Sequence, residues 1–325
     1  MHFSNPAIVR KLSIDSYREI ISKNLRRFSS QRIPQNVRIG REIFQSKVHE
    51  LIKKENWNKL QQLIQSEEQI RGPFDDHTIL RTIHELSKNG YPHKAKFLLH
   101  RLDNSSKSVR IEAHNFVLKG HDKSYKDVNK HLRQMEAKNL ASNYSYAILI
   151  SSLSEVGIQM NLFQVLSRMK RLSLQPEFYH FNALIHLSAK FGDLQLALRL
   201  FEKMKVEGIR PDSKTYGALL NGCSKSADYK CALELFGQLK SSQKTVVNWT
   251  SLLKTLAGAK QYQLMFEKLA EMKAGGVQPN VITFSEVMTS AVKNDDAQIV
   301  EKVFELMMIE GVLPNLYIYN ILMQG

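Results

Sequence analysis

The residues able to do chemistry are scattered along the chain and form no known catalytic pattern. The pair His84-Glu85 is followed by Lys88, where a metalloprotease helix would place a second histidine four residues after the first. No P-loop, GxGxxG or GxSxG sequence is present, and most carboxylates fall on the polar faces of predicted helices. The sequence therefore predicts no active site, no metal site and no cofactor.

The two cysteines are the other candidates for chemistry. Cys223 and Cys231 are eight residues apart, without CxxC spacing and without a nearby pair of histidines. Zinc sites and redox motifs need such spacing, so we expect small buried side chains instead. So few cysteines also favour a reducing compartment over a disulfide scaffold.

The chain contains a repeating unit of about 35 residues, and this unit must position any functional side chain. In residues 178–212, apolar residues recur at helical spacing on both sides of a break at Gly192-Asp193. Asp is a good N-cap, while Gly208 and Pro211 end the second helix. A lone helical hairpin leaves apolar faces exposed, so this unit requires neighbours of the same kind.

The neighbouring copies begin at residues 143, 213, 246 and 281. Three features recur in register: an aromatic residue in the first helix, Met or Leu late in the second helix, and a proline in the joint. The aromatic residues are Tyr146, Phe181, Tyr216, Trp249, Phe284 and Tyr319; the Met or Leu residues are Met169, Met204, Leu239, Met272 and Met307; the prolines are Pro176, Pro211, Pro279 and Pro314. The 213–245 copy is two residues shorter and lacks the proline, which predicts a tighter joint.

The segments FNALIHLSAKFGDLQLALRLFEKMKVEGIRPD and WTSLLKTLAGAKQYQLMFEKLAEMKAGGVQPN resemble the pentatricopeptide repeat family. Joints such as Gly-Ile-Arg-Pro-Asp distinguish them from tetratricopeptide repeats. The resemblance implies an all-α fold, an α-solenoid in which tandem helix-turn-helix repeats form a right-handed superhelix. The predicted divisions are a leader over 1–40, degenerate helical repeats over 41–110, and an array of repeats 111–142, 143–177, 178–212, 213–245, 246–280 and 281–315 with a partial repeat 316–325.

In that family, the fifth and last residues of each repeat contact one RNA base together; we call them the base-contact pair. Short polar side chains suit this task, because an amide both donates and accepts and a carboxylate only accepts. The predicted pairs are Asn115 with Ser142, Asn182 with Asp212, Thr250 with Asn280 and Ser285 with Asn315, and Asn320 begins a further incomplete one. The alternative is that residues such as Asp212 and Asn280 only cap helices.

The family pattern assigns bases to these pairs. Asn with Asp implies U, Thr or Ser with Asn implies A, and Asn with Ser implies C. Two repeats, with Ala147 and Glu177 and with Gly217 and Thr245, imply no base. The resulting expectation is binding to 5′-C-N-U-N-A-A-3′ single-stranded RNA across residues 111–315.

Two further series are predicted to face the same RNA. The second residues of repeats, which sandwich bases in the family, are Tyr144, Tyr179, Val247, Ile282 and Tyr317. Lysines at the ends of first helices would line up in a solenoid and follow phosphates; these are Lys88, Lys123, Lys190, Lys225 and Lys293. The alternative for the lysines is a solvated position that favours the helix dipole.

The first 40 residues have a different composition. Eight basic residues stand against Asp15 and Glu19, which is typical of an organelle transit peptide. Residues 26–30, Arg-Arg-Phe-Ser-Ser, resemble a mitochondrial processing site with cleavage after Phe28. We expect import into the mitochondrial matrix; the alternative is a basic disordered tail.

The net charge of +15 favours a polyanionic partner. Because no apolar run approaches membrane-spanning length, we expect no membrane span. The favoured function is binding of a specific single-stranded RNA in mitochondrial RNA processing, stability or translation, without enzyme activity. One alternative is a scaffold that binds the mitochondrial ribosome or RNA-processing proteins. Another is the RNA-binding part of an RNA-processing enzyme, because the sequence stops within a helix and we expect a longer protein.

Overall fold

The structure is a computed structural model that describes residues 35–71, 74–156 and 162–324. Within these ranges the regular elements are 17 α-helices and two short 3-10 helices, so the predicted all-α class is confirmed. Most of the predicted leader, including its processing site, lies outside the described residues. The chain divides into two compact units, residues 1–179 and 180–325.

The first unit consists of helical hairpins. Its helices are α1 (Gln35–Lys53), α2 (Trp57–Arg71), α3 (Asp76–Lys88), α4 (Pro92–Ala95), a 3-10 helix (Lys96–Leu102), α5 (Lys107–Gly120), α6 (Tyr125–Ala137), α7 (Asn143–Val156) and α8 (Leu162–Arg171). The first helices of successive repeats pack on each other, α1 on α3, α3 on α5 and α5 on α7. This serial packing is the arrangement expected of a solenoid.

The second unit repeats the same pattern with greater regularity. Its helices are α9 (Phe178–Lys190, which starts at the boundary), α10 (Leu194–Val206), α11 (Ser213–Ser226), α12 (Tyr229–Gly237), a 3-10 helix (Ser241–Gln243), α13 (Val246–Gly258), α14 (Tyr262–Ala274), α15 (Val281–Val292), α16 (Ala297–Ile309) and α17 (Leu316–Leu322). Here α11 packs on α13, α13 on α15 and α15 on α17.

The recurring apolar residues form the core of each unit. All predicted Met and Leu positions are buried, and so are the aromatic residues of the first helices except Tyr319. In the second unit, Phe201 packs against Tyr216 of the following repeat with ring centroids 5.3 Å apart, and Phe236 packs against Trp249 at 4.4 Å. At these two junctions a ring of the second helix packs against the first-helix aromatic residue of the next repeat, as expected for repeats that share a core with their neighbours.

The predicted helix boundaries within 178–212 are confirmed. Asp193 caps α10 by accepting a hydrogen bond from the backbone N–H of Leu196 at 2.9 Å. Gly208 follows the end of α10 with φ of +75°, a backbone conformation that glycine adopts without strain. In the 213–245 repeat, the shorter joint is accommodated by an α12 of only nine residues and the 3-10 helix that follows it.

Two predicted boundaries differ from the structure. Helix α1 begins at Gln35, inside the predicted leader. Helix α5 begins at Lys107 rather than at 111, because Ser106 accepts a hydrogen bond from Val109 N–H and caps it one turn earlier. Within the degenerate repeats, α4 is a single α-helical turn that continues as a 3-10 helix. The strict 35-residue register therefore ends on the N-terminal side of α7.

Within the described residues, no helix combines the length and the apolar composition of a membrane span.

Candidate nucleic-acid interface

The base-contact pair of the 178–212 repeat meets around one hydroxyl group. Thr215, the third residue of the following repeat, donates from Oγ1 to Asn182 Oδ1 at 2.6 Å. The same oxygen lies 2.9 Å from Asp212 Oδ1, and Asp212 N–H donates to it at 3.1 Å. Thr215 is buried, whereas Asn182 and Asp212 are half-buried. The structure thus brings the predicted pair together and joins it through a residue that the sequence analysis had not identified.

The 246–280 repeat has the same arrangement with other side chains. Thr250 Oγ1 and Thr283 Oγ1 lie 2.8 Å apart, and Thr283 Oγ1 is 3.2 Å from Asn280 Oδ1. Asn280 also accepts from the backbone N–H of Thr283 at 3.0 Å. Thr283 is the third residue of its repeat, as Thr215 is. We call the residue at this place the bridge residue.

A third example occurs in the first unit despite the displaced start of α5. Ser145 Oγ donates to Asn115 Oδ1 at 2.6 Å and lies 3.0 Å from Ser142 Oγ. Asn115 Nδ2 is 3.5 Å from Ser142 Oγ, so the predicted pair is again adjacent. Ser145 is the bridge residue here.

The pair Ser285 and Asn315 has no bridging hydroxyl, because the third residue of the following repeat is Ile318. Ser285 Oγ donates to the carbonyl oxygen of Ile282 in its own helix at 3.0 Å. Asn315 caps α17 through Ile318 N–H at 3.1 Å. Asn320 is exposed on α17. These residues remain predictions for base contact. Their side chains bond to backbone atoms, whereas Thr250 bonds to the hydroxyl of Thr283.

In the two repeats without an implied base, other side chains contact or crowd the base-contact positions. Asn248 fills the space beside Gly217: its Nδ2 donates to Ser213 Oγ at 3.0 Å and to Gln243 O at 3.1 Å. A Cβ atom at Gly217 would lie 3.1 Å from Asn248 Oδ1, so even a small side chain would be crowded. In the 143–177 repeat, Glu177 accepts a hydrogen bond from Asn143.

Capping and base contact are compatible functions of the last residues. Asp212 accepts from Thr215 N–H at 2.8 Å, and Asn280 and Asn315 cap their helices in the same way. Capping is therefore observed for these three residues. It uses one oxygen atom of each side chain, so the second carboxylate oxygen of Asp212 and the amide nitrogen of Asn280 remain for a ligand.

The predicted stacking positions fall on the first turns of first helices. Val247 is 67% exposed, Ile282 63% and Tyr317 53%, while Tyr144 and Tyr179 are half-buried. Exposed apolar residues at one repeating place supply flat surface for a nucleobase. Their role in stacking remains a prediction.

The predicted lysines lie at or just after the ends of first helices. Lys225 Nζ donates to the carbonyl oxygen of Lys190, one repeat earlier, at 2.5 Å. Burial, with the ammonium groups of Lys190 and Lys254 nearby, lowers the pKa of Lys225. Lys225 therefore binds a carbonyl oxygen at the end of a helix, as the alternative predicts. A phosphate nearby would reduce the repulsion between the neighbouring ammonium groups. Lys88, Lys123 and Lys293 are exposed at the corresponding places.

The described residues show no arrangement for metal binding and no reactive thiol. Among the described residues, no group of three or more His, Cys, Asp or Glu side chains is arranged to hold a metal ion. Cys223 is buried, as predicted, and Cys231 is half-buried. Burial raises the pKa of both thiols, which makes them poor nucleophiles.

Two models of known families match this chain. A model described as "Pentatricopeptide repeat domain" matches residues 130–185 and 164–226. A model described as "Pentacotripeptide-repeat region of PRORP" matches residues 218–325. Together the matched residues run from 130 to 325. No curated protein sequence matches the chain.

Solved structures that match this chain include PPR10 from maize, at 18% identity and a TM-score of 0.47 over 94% of this chain and 55% of that one. PPR10 in complex with an 18-nt psaJ RNA element matches at 17% identity and 0.47, over 81% of this chain and 44% of that one. The PPR domain of Arabidopsis thaliana protein-only RNase P 1 in complex with tRNA matches at 16% identity and 0.43, over 54% and 93%. The chain thus spans about half the length of PPR10.

Proposed function

Because this chain belongs to the pentatricopeptide repeat family, we propose that it binds single-stranded RNA and recognises individual bases with its base-contact pairs. The observation that carries the proposal is the meeting of Asn182 with Asp212, and of Thr250 with Asn280, around one bridging hydroxyl in each case. Amide, carboxylate and hydroxyl groups at one repeating place suit the edges of unstacked bases. Asn182 and Asp212 are half-buried, Asn280 is exposed and Thr250 is buried. We propose 5′-C-N-U-N-A-A-3′ as the preferred segment.

The test is selection of RNA by the full chain from a randomised single-stranded pool. The salt concentration must be fixed near the physiological value, because phosphate contacts make affinity strongly salt-dependent. Enrichment of C-N-U-N-A-A would support both the RNA-binding function and the assignment of pairs. RNA binding without any enriched base would overturn the proposal of sequence recognition.

A second candidate function is a scaffold that grips structured RNA or protein. It is favoured by the 213–245 repeat, where Asn248 occupies the space beside Gly217 and leaves no base-contact pair. Co-sedimentation with ribosomal particles, together with no enriched motif, would favour this function. The similarity to the PRORP repeat region supports, more weakly, a part in an RNA-processing enzyme.

We propose the mitochondrial matrix as the location, where a bound segment would be protected or presented during RNA processing or translation. The support is the basic, acid-poor composition of residues 1–40. A fluorescent protein carrying these residues should enter mitochondria and be cleaved after Phe28, as N-terminal sequencing of the imported product would show. A fusion that stays in the cytosol would contradict the assignment.

Replacing Lys225 by glutamine should weaken binding to all RNA sequences to a similar extent. Removing one phosphate contact should reduce the slope of log affinity against log salt concentration by about 0.7. The same change at exposed Lys230, on the second helix of the repeat, is the matched control and should leave the slope nearly unchanged. An unaltered slope in the Lys225 variant would restrict this lysine to its helix-end contact with Lys190.

A further inference from the structure

We propose that the bridge residue, the third residue of the following repeat, is a positioning residue that sets which member of a base-contact pair donates and which accepts. The inference rests on the proposed function, since it concerns the same pairs. It adds Thr215 and Thr283 to the residues that determine base preference.

The hydroxyl of Thr215 has one proton to donate. The shorter contact, 2.6 Å to Asn182 Oδ1, takes that proton, while Asp212 N–H donates to the hydroxyl oxygen. The amide oxygen of Asn182 is thereby held inward, and its NH2 group is left to donate to a ligand. Asp212 uses one oxygen for the helix cap and offers the other as an acceptor. The pair presents a donor at its fifth residue and an acceptor at its last residue.

The hydroxyl of Thr283 has different partners. It lies 2.8 Å from Thr250 Oγ1, where either hydroxyl can be the donor, and 3.2 Å from Asn280 Oδ1. When a ligand donates to Thr250, the proton of Thr250 goes to Thr283 Oγ1 and the proton of Thr283 goes to Asn280 Oδ1. Asn280, whose oxygen also accepts Thr283 N–H, offers its NH2 group. This pair can therefore present an acceptor at its fifth residue and a donor at its last residue.

These two orders match the edges of different bases. Uracil has an accepting O4 beside a donating N3–H, which fits Asn182 and Asp212. Adenine has a donating N6 amino group beside an accepting N1, which fits Thr250 and Asn280. In both cases the fifth residue faces the exocyclic group and the last residue faces the ring nitrogen. Cytosine has the polarity of adenine, and its accepting N3 would face the carboxylate of Asp212, which can only accept, so the Asn182 pair should reject it.

The 281–315 repeat shows what happens without a bridging hydroxyl. Its bridge position is Ile318, and Ser285 donates to its own helix backbone instead of joining Asn315. Thr250 and Ser285 occupy equivalent places with similar hydroxyl groups. The difference between them follows from the bridge residue, which supports its role in orienting the pair.

The test compares Thr215→Val, which removes the hydroxyl at similar volume, with Thr215→Ser, which keeps it. Affinities of the full chain are measured for RNAs that differ only in having U or C at the base assigned to Asn182. In Thr215→Val the side-chain amide of Asn182 can rotate and present its oxygen to the base instead of its NH2 group. The preference for U over C should therefore fall about tenfold. Thr215→Ser should keep it. Thr283→Val should reduce the preference for A over U at its own base and provides the same test at a second site.

Thr78→Val is the matched control for loss of a helix-start hydroxyl. Thr78 donates to Asp75 Oδ1 at 2.7 Å at the start of α3. Gln45, on the preceding helix α1, donates instead to Thr82 Oγ1 and to the backbone carbonyl oxygen of Thr78. This variant should lose some thermal stability and keep the U preference at the Asn182 base. A folded Thr215→Val protein that keeps its U preference would overturn the inference and leave RNA recognition intact. Absence of base preference in the wild-type protein would instead remove the proposed function.

Discussion

Replacing Asn182 by threonine is expected to change the preferred base of the 178–212 repeat from U to G. Asp212 would still accept a ring N–H, which uracil and guanine both have, and a threonine hydroxyl can donate to O6 as the amide donates to O4. Because threonine is shorter than asparagine, it leaves more room for the larger purine. The preference at this base should change by about tenfold or more, the range of roughly 1–3 kcal/mol found for a specific contact to a base.

The measurement is selection of both proteins on the same randomised pool, with attention to the single base assigned to this repeat. Asn182→Ala is the appropriate control, since it removes the amide without supplying a hydroxyl; it should lose the U preference and gain none for G. The bases assigned to Thr250 and Ser285 should be unaffected in both variants, because those side chains belong to separate repeats. An unchanged preference for U in Asn182→Thr would remove Asn182 from the base-contact residues.

The repeat architecture was predictable because each helix start carries its own local signal. Asp212 and Asn280 cap their helices with a following threonine in a capping box, so the predicted starts at 213 and 281 coincide with the observed ones. The buried aromatic and methionine positions follow from a period that places them between repeats. Where the capping residue lies elsewhere, the predicted helix start is wrong. Ser106 is a better N-cap than Arg110, so α5 begins one turn before the expected residue.

The bridge residue was missed although its signal is present in the sequence. Ser145, Thr215 and Thr283 recur as the third residue of their repeats, but a hydroxyl at a helix start is adequately explained by capping. Only the structure shows that the same oxygen reaches back to the fifth residue of the preceding repeat. Contacts between side chains 30 or more residues apart depend on how helices pack, which local patterns do not report.

A pair of histidines in the first unit was also invisible in the sequence. His114 on α5 and His131 on α6 are both buried, with Nδ1 of the former 3.1 Å from Nε2 of the latter. Burial lowers the pKa of His114 to about 4, with Lys138 and Arg110 adding to the shift and Asp103 opposing it. Burial, the neighbouring His114 and Lys96 lower the pKa of His131 to about 3. Both rings are therefore neutral in the folded protein near neutral pH.

We expect the first unit to lose stability as the pH falls from 7 to 5. Unfolded histidines bind protons below a pH of about 6.5, whereas the folded pair resists protonation until the pH approaches its lowered pKa values. The unfolded state thus binds more protons in this window, and stability decreases as pH falls. At pH 5 the loss is about 2 kcal/mol for each histidine, from 1.36 kcal/mol per pKa unit.

Trp57 lies in the first unit and Trp249 in the second, so a Trp249→Phe background lets fluorescence report the first unit alone. Urea unfolding of that background at pH 7 and pH 5 gives the loss of unfolding free energy. Burial also lowers the pKa values of His84 and His121 in this unit, so His131→Leu should shrink the difference between the two pH values by about 2 kcal/mol and leave the rest. His100→Gln, at an exposed histidine, should leave the difference unchanged. Equal pH dependence in all three proteins would show that α5 and α6 open to admit protons, and that the buried pair does not determine the acid stability of this unit.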